Sequence, residues 1–354
     1  MPAYQVWLLN DNYTKFMYLG GWLRLAYRIG LNQMCGASLD LKANDPKIET
    51  IALMKRLLIL RDGAVVWGGL LQTEGWVIEG SAPTGDTYFL DALDYAAYLD
   101  WRTIPRPAGQ DYDWYEDHAD DVAKAIVRNH LGASALAARQ FSDLTVAADV
   151  SALASCQRSL VAGAVLEQLI ALAALKHFYW RMVPGASGCT FTTYYPLAGL
   201  DRTRGNGVND EIVFALDRKN IQRLAYKKDL TGHYNHIYIA GPGEGKDQLM
   251  AEREGAADVG AYKRRERWLN ASEYSTVAGL EGVGDRELVA MRPYENAEIT
   301  PAPNVLTPEN LGDKISIEAT RYGRVFAQEA VVRALDVLVD SAGVETVKPE
   351  LEAQ

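Results

Sequence analysis

The side chains with the clearest chemical potential lie in an acidic cluster around His118. Glu116 and Asp117 precede this histidine, and Asp120 and Asp121 follow it. A histidine among carboxylates can bind a metal ion or relay protons. The same acids also crowd the first turn of a predicted helix, where the helix dipole favours negative charge. We therefore predict a structural role, with a cell-wall hydrolase that uses Asp117, Asp120 and Asp121 as the alternative.

A glycine-rich segment from Ala240 to Asp247, AGPGEGKD, has the composition of a phosphate-binding loop. Such a loop needs a glycine where Ala240 stands and a hydroxyl side chain where Asp247 stands. Pro242 also lacks the backbone N–H that would contact a phosphate. We predict a plain loop between two strands, with nucleotide binding as the alternative.

Two further motifs fall short of a catalytic arrangement. His233 and His236 start a predicted strand, where they would point to opposite faces, so we predict no metal site. Gly185 to Gly188 departs from the serine nucleophile motif GxSxG because Cys189 replaces the last glycine. Hairpin strands also flank this segment in place of a strand and a helix. No serine nucleophile is predicted.

A basic patch precedes Trp268 and consists of Lys263, Arg264, Arg265 and Arg267. On a strand these side chains alternate between faces, which favours a solvated surface or a subunit contact over nucleic-acid binding. The chain therefore contains no recognisable catalytic set. We predict a scaffold or binding protein that is not an enzyme and uses no cofactor or metal.

The elements that position these side chains begin with short strands separated by turns. The clearest is RLLILRDGAVVWGGLLQ, in which Asp62-Gly63 predicts a type I′ hairpin turn. Asp91 is a candidate N-cap for a short helix that extends to Trp101. The stretch TIPRPAGQD, with its prolines and glycine, favours a domain boundary.

Helical periodicity follows at residues 118–131 and 154–175. The second of these segments is apolar almost all the way round, which indicates burial on several sides or a subunit contact. HFYWRMV and CTFTTYY flank PGASG and predict a second hairpin. Strand patterns return after Glu211 and continue towards the end of the sequence, which indicates an α+β protein rich in strands.

Composition describes a globular chain. Its 354 residues are enough for two or three domains, and 48% of them are apolar. The most apolar stretch, Ser159 to Leu175, is short and carries Glu167 in its middle. The N-terminal residues do not have the pattern of a signal peptide. We therefore expect no stable membrane insertion and a protein kept on the cytoplasmic side of the membrane.

Cysteine spacing and net charge argue against a disulfide-stabilised protein and against a protein that wraps nucleic acid. Cys35, Cys156 and Cys189 lie far apart, so no disulfide framework is predicted. The net charge of -10 argues against a surface that wraps a phosphate backbone. It is compatible with an acidic wall along which DNA slides.

Short segments spread over nearly the whole chain carry a family resemblance. They are SLDLKAND, LLILRDGAVVWGGLLQ, DALDYAAYLDWRTIPRP, AGLDRTR, NDEIVFALDRKNIQRLAYKKDLTGHYNHIYIAGPGEGK, AYKRRERWLNA and LGDKISIEATRYG. In these segments the chain resembles the siphophage tail-hub, or minor tail, proteins. That family is similar to the baseplate hub of contractile phages and to the N-terminal part of the type VI secretion spike. Lys263 departs from the glycine usual after the tyrosine, and Lys246-Asp247 stand where an arginine is common.

The resemblance implies a structural protein with two tail-tube-like β-barrel domains and mixed α/β segments at the periphery. The first barrel would occupy residues 1–106 and the mixed peripheral domain residues 107–200. Residues 201–354 would hold the second barrel and an inserted segment near 270–310. Three copies would form a pseudo-hexameric ring at the tail tip of the virion, after assembly in the host cytoplasm.

The same resemblance implies the partners. These are a distal tail protein, a tape-measure protein and tail fibre or spike proteins, with DNA present only in transit through the lumen. Because the ring would alternate the two barrels, we expect subunit contacts at the first hairpin and at the strand 315–318. The expected contact residues are Arg61, Gly63, Val65, Trp67, Ile315 and Ile317.

A second class of function stays open at this point, which is a receptor- or carbohydrate-binding module at the tail tip. Surface tryptophans could stack on sugar rings. The candidates are Trp7, Trp22, Trp76 and Trp114. The same residues are also suited to a core or an interface.

Overall fold

The computed structural model describes residues 2–78, 86–105, 113–159, 163–272, 274–321 and 324–353. The chain forms two compact units. Unit 1 consists of Met1–Arg223 and Ile299–Gln354, and unit 2 consists of Leu224–Glu298. Unit 2 is therefore inserted between the two segments that make unit 1.

The chain begins with strands β1 (Tyr4–Leu9), β2 (Lys15–Tyr18), β3 (Arg24–Gly30), β4 (Gly36–Lys42), β5 (Arg56–Arg61), β6 (Ala64–Val77) and β7 (Thr87–Asp94). The middle of unit 1 holds α1 (Ala97–Asp100), β8 (Thr103–Ile104), β9 (Trp114–His118), α2 (Ala119–His130), β10 (Leu144–Val146), β11 (Ser155–Ser159), β12 (Gly163–Ala164), α3 (Val165–Lys176), β13 (Tyr179–Gly185), β14 (Gly188–Tyr194) and β15 (Val213–Ala215).

Unit 2 and the strands that lead into and out of it comprise β16 (Ile221–Asp229), β17 (His236–Ala240), β18 (Met250–Glu254), α4 (Ala256–Tyr262), β19 (Glu266–Asn270), α5 (Val277–Ala290) and β20 (Tyr294–Pro301). Unit 1 then ends with β21 (Lys314–Arg321), β22 (Arg324–Asp340) and β23 (Glu345–Ala353). Short 3-10 turns lie at Ile48–Thr50, Ala137–Arg139, Gly245–Asp247 and Pro308–Asn310.

Unit 1 is built on an eleven-stranded sheet in the order β15-β21-β22-β3-β4-β7-β6-β5-β1-β2, with β23 also paired to β22. Strands from both ends of the chain meet in it, because β22 pairs antiparallel with β3. The β-rich α+β class is thus confirmed. Over the described residues the strand pairings do not close on themselves, so the two-barrel arrangement stays a prediction.

The first hairpin forms as predicted. Asp62 and Gly63 have φ angles of 51° and 85°, the positive values that a type I′ turn requires. Arg61 and Ala64 are then paired across the turn. Leu57 to Leu60 are buried on β5, so this hairpin contributes to the unit 1 core.

The strands of the large sheet bury one face and leave the other open. On β3, Leu25 and Tyr27 are buried, whereas Arg24 is exposed and Ala26 and Arg28 are half-buried. The alternation follows from the two-residue period of a strand. One face therefore packs on the core of unit 1 and the other faces solvent.

A helical layer packs beside this sheet. Helices α2 and α3 bury their apolar sides against the hairpin of β13 and β14, with Val122, Leu169 and Trp180 fully buried. The predicted hairpin around PGASG and the helix predicted at residues 118–131 are confirmed.

Two helix predictions need correction. Asp91 does not cap a helix, because it lies in β7 and pairs with Ser38 of β4; α1 begins only at Ala97. The helix predicted over 154–175 begins at Val165, because β11 takes up Ser155–Ser159 in a pairing with β9. In both cases pairing with a distant strand overrode the local pattern.

Unit 2 contains a three-stranded sheet in the order β18-β17-β19. Helix α5 covers one face, where Ile237 and Ile239 of β17 pack with Leu280 and Val283. Thr276 caps the helix, since its side chain accepts a hydrogen bond from the backbone N–H of Gly279. Strands β16 and β20 pair with each other where the chain enters and leaves the unit.

Among the described residues no helix has both the length and the apolar character needed to cross a membrane.

Candidate functional site

In the acidic cluster, Asp120 and Asp121 hold the loop 149–153 in place through hydrogen bonds, an arrangement that we call the loop clamp. Asp120 accepts hydrogen bonds from the backbone N–H groups of Ala152 and Leu153 at 3.2 and 3.1 Å. Asp121 accepts from those of Val150 and Ser151 at 3.1 and 2.9 Å. Both side chains are buried. The two carboxylates thus fasten the loop 149–153 to the start of α2.

A buried lysine completes this clamp. Lys124 Nζ lies 3.0 Å from Asp121 Oδ1 and 3.7 Å from Asp120 Oδ2. Burial opposes the ionisation of Asp121, but hydrogen bonds from Lys124 and from the loop hold the pKa of this carboxyl below its ordinary value. The hydrogen bonds of Asp120 and Asp121 support the predicted structural role, whereas Asp117, the third residue of the hydrolase alternative, is exposed.

The other chemical motifs also resolve into structural positions. His233 is buried with Nδ1 2.8 Å from the carbonyl of Met291, whereas His236 Nδ1 lies 2.9 Å from Glu254. The segment AGPGEGKD forms a 3-10 turn between β17 and β18, as predicted for a connecting loop. Over the described residues no three His, Cys, Asp or Glu side chains are arranged to hold a metal ion.

The predicted contact residues fall into two separate groups. Arg61, Gly63, Val65 and Trp67 belong to the hairpin of β5 and β6, and Ile315 and Ile317 lie on β21. Several strands of the sheet separate the two groups. Trp67, Ile315 and Ile317 are buried within the chain itself, while Gly63 is exposed and Val65 half-buried. Their role in subunit contacts stays a prediction.

The two ends of the large sheet differ in a way that the sequence did not reveal. At one end Asn220 covers β15, because its side chain accepts from the N–H of Ala215 at 3.0 Å and donates to the carbonyl of Val213 at 2.7 Å. At the other end β2 pairs with β1 and, within the described part of the chain, with no further strand. Its Phe16 and Tyr18 side chains are 57% and 42% exposed. The β2 edge is therefore open for pairing.

The open face of the sheet carries paired charges. Arg28 contacts Asp336 at 3.0 Å and also Glu350, and Arg24 lies 3.6 Å from Asp40. Between these pairs runs a groove of about 640 Å³ whose floor includes the small residues Ala26, Gly36 and Ser38. Each of these arginines thus lies beside at least one carboxylate.

Comparison with known proteins identifies the family of this chain. Residues 5–351 match the family described as "Siphovirus ReqiPepy6 Gp37-like protein". The chain belongs to this family. The predicted resemblance to siphophage tail proteins is thereby confirmed. No curated protein matches this family member.

Solved structures share the fold of this Gp37-like chain. The tail protein of Neisseria meningitidis MC58 has a TM-score of 0.65 at 12% identity, covering 99% of this chain and 97% of that one. The tail protein of prophage MuSo2 from Shewanella oneidensis gives 0.63 at 13%, covering 98% of each chain. A chain of the Francisella PdpA-VgrG complex gives 0.52 at 8%, covering 99% of this chain and 57% of that one.

Two features of the Gp37-like chain escaped sequence reasoning. The Asn220 cap depends on a side chain that reaches back to β15, and no spacing rule identifies it. Trp268 stood beside the basic patch, but only the register of β19 against β17 reveals which side chains share its face. An exposed aromatic residue in a charged strand was the available signal.

Proposed function

We propose that the protein is a non-enzymatic structural hub at the distal end of a phage tail. Three copies form a pseudo-hexameric ring that continues the tail tube and anchors the tip spike or fibres. The family match over residues 5–351 carries this proposal. The fold shared with the tail proteins of N. meningitidis and S. oneidensis supports it.

The sheet edges support assembly by strand pairing. An unpaired edge strand is a ready template for a strand of another chain. Asn220 covers the edge at β15, whereas β2 and β23 each pair with one strand among the described residues. The proposed contact is the β2 edge, where Phe16 and Tyr18 would add apolar contacts. The exposed tip of the β5–β6 hairpin at Gly63 is the second expected contact.

The tail-tube-like barrels remain part of the proposal. Side-chain contacts support one barrel in unit 1: Glu345 of β23, which pairs with β22, contacts Arg61 of β5 and Tyr4 of β1 in the other half of the strand order. The domain limits near 106 and 200 and the segment near 270–310 stay as predicted, and residues 106–112 lie outside the described residues.

The open face of the unit 1 sheet is the proposed wall of the lumen. Arg24 and Arg28 are paired with carboxylates, so they offer little attraction to a phosphate backbone. The net charge of -10 acts in the same direction. DNA would pass along this wall without being held. The proposed partners are a distal tail protein, a tape-measure protein and fibre or spike proteins, in a virion assembled in the host cytoplasm.

Solution mass tests the hub proposal. Three copies of the 39.1 kDa chain have a mass of 117.3 kDa. Native mass spectrometry over a range of concentrations is expected to give this trimer, either alone or after addition of the distal tail protein. A monomer under every condition, with and without tail partners, would overturn the proposal.

A further inference from the structure

The sheet of unit 2 leaves one face uncovered. Helix α5 packs on the face formed by Ile237 and Ile239. The opposite face follows from the register: Glu252, Tyr238 and Trp268 stand side by side on β18, β17 and β19. Rigid strands therefore hold this row, which we call the Trp268 face, in place.

An aromatic platform lies at the edge of this face. The Trp268 side chain is 56% exposed, although tryptophan is among the costliest residues to leave in water. Its indole Nε1 donates to Asn270 Oδ1 at 2.9 Å, which fixes the orientation of the ring. Tyr238 is the adjacent aromatic residue in the row. The platform is thus ordered before any ligand binds.

Hydrogen-bonding groups surround the platform, and most of them are already positioned. Arg264 donates to Tyr238 Oη at 2.7 Å and to Glu266 at 2.6 Å. His236 lies buried beneath, with Nδ1 2.9 Å from Glu254. Glu252 is 67% exposed on the same face, with Oε2 3.5 Å from His236 Nε2. The face therefore combines one flat apolar surface with fixed donors and acceptors.

The charges on the face select the type of ligand. Three carboxylates, Glu252, Glu254 and Glu266, outnumber the single guanidinium of Arg264, which disfavours nucleic acids and acidic polymers. Protein interfaces are depleted of charged residues at their cores, but here carboxylates stand on both outer strands, directly beside β17. A neutral polyhydroxylated ligand fits both features, because its hydroxyls pair with carboxylates and its C–H face stacks on an indole.

We infer that the Trp268 face of unit 2 is a binding site for a neutral oligosaccharide. Trp268 provides the stacking platform beside Tyr238, whose ring lies under the Arg264 guanidinium, and Glu252, Arg264 and Asn270 provide hydrogen bonds to the sugar hydroxyls. This site goes beyond the hub role. It would give the tail protein direct contact with a glycan.

Titration of the full-length protein with maltohexaose, cellohexaose and chitohexaose, read by calorimetry, tests the inference. Saturable binding of at least one hexamer is expected, at micromolar to millimolar dissociation constants. Trp268→Ala should weaken it at least tenfold, and Glu252→Gln should weaken it several-fold. Leu136→Ala is the control, because Leu136 is an apolar side chain that is 76% exposed but lies in unit 1. It should bind as the parent does.

Three results would overturn the inference. The first is no saturable binding of any of the three hexamers up to about 10 mM. The second is equal binding by the Trp268→Ala and Leu136→Ala variants. The third is stronger binding of hexalysine or of a uronic-acid hexamer than of the neutral sugars. Thermal unfolding of each variant is recorded alongside, so that a folding defect is recognised. Native mass spectrometry of the same samples separates failure of this site from failure of the hub proposal.

Discussion

Arg61 on β5 and Glu345 on β23 form a bidentate ion pair between two strands that are far apart in the strand order of the unit 1 sheet. Their atoms approach to 2.8 Å (Nε to Oε2) and 3.3 Å (Nη2 to Oε1). The side chains are only 14% and 5% exposed. Tyr4 also donates to the same carboxylate. Arg61, which we predicted as a subunit contact, is thus engaged within its own chain.

Removing one partner of this ion pair should destabilise the protein strongly. Glu345→Ala leaves a largely buried guanidinium with only the exposed Asp62 carboxylate, 3.5 Å away, which costs about 3 kcal/mol in the free energy of unfolding. Arg61→Ala should cost a similar amount, and the double variant should cost less than the sum of the two. Chemical denaturation measures all three. Arg24→Ala, which removes a more exposed arginine, is the control and should cost under about 1 kcal/mol. Strictly additive losses would contradict the pairing.

The loop clamp predicts a stability change in acid. Because the pKa of Asp121 is lowered in the folded state, its contribution is complete above about pH 4 and is lost as the pH falls further. Asp121→Asn should cost about 2 to 4 kcal/mol at pH 7, since Lys124 stays buried with less compensation. The deficit should shrink below pH 3. Exposed Asp117→Asn should change little, and an equal deficit for Asp121→Asn at pH 7 and pH 2.5 would refute the mechanism.

The Asp94 carboxyl should make the stability of the protein depend on pH in the opposite direction to Asp121. Burial raises the pKa of this carboxyl to about 7, although Arg181 and the N–H groups of Cys35 and Ala96 lower it in part. The folded state therefore holds a proton that the unfolded state releases, and stability should fall as the pH rises from about 4 to about 7. Asp94→Asn keeps the acceptor for Ala96 and removes the titration.

Thermal unfolding at several pH values measures this effect. Asp94→Asn should match the parent at pH 4 and exceed it at pH 8, by no more than about 4 kcal/mol. Asp91→Asn, on the same strand, should follow the curve of the parent. A parent whose stability does not fall between pH 4 and pH 8 relative to Asp94→Asn would show that the carboxyl titrates normally.

The open β2 edge predicts an assembly variant. Phe16→Lys places a charge on the edge strand and should weaken self-association about tenfold or more, because such charges block edge pairing. The side chain is 57% exposed, so the stability of the monomer should be unaffected. Leu136→Lys, at a position that is 76% exposed and away from the edge, is the control. If both variants associate like the parent, the β2 edge is not the contact.

Local signals in the sequence predicted only the local parts of this fold. The turn at Asp62-Gly63 follows from steric preferences of two adjacent residues, and it formed as expected. Asp91 looked like a helix cap because its partner strands β4 and β6 are distant in sequence. Dependence on long-range pairing also explains why the Trp268 face was not predicted. The row of Glu252, Tyr238 and Trp268 exists only once three strands are in register.

The pairing of β3 with β22 also affects how the protein is made. Arg28 and Asp336, which meet across this pairing, are separated by 308 positions. At about 5 to 20 residues per second, a ribosome needs roughly 15 to 60 seconds to span that interval. During this time β3 of the nascent chain has one edge without its final neighbour and is open to wrong pairing. The fold of unit 1 is therefore completed only after translation of unit 2, which makes chaperone protection of the growing chain an advantage.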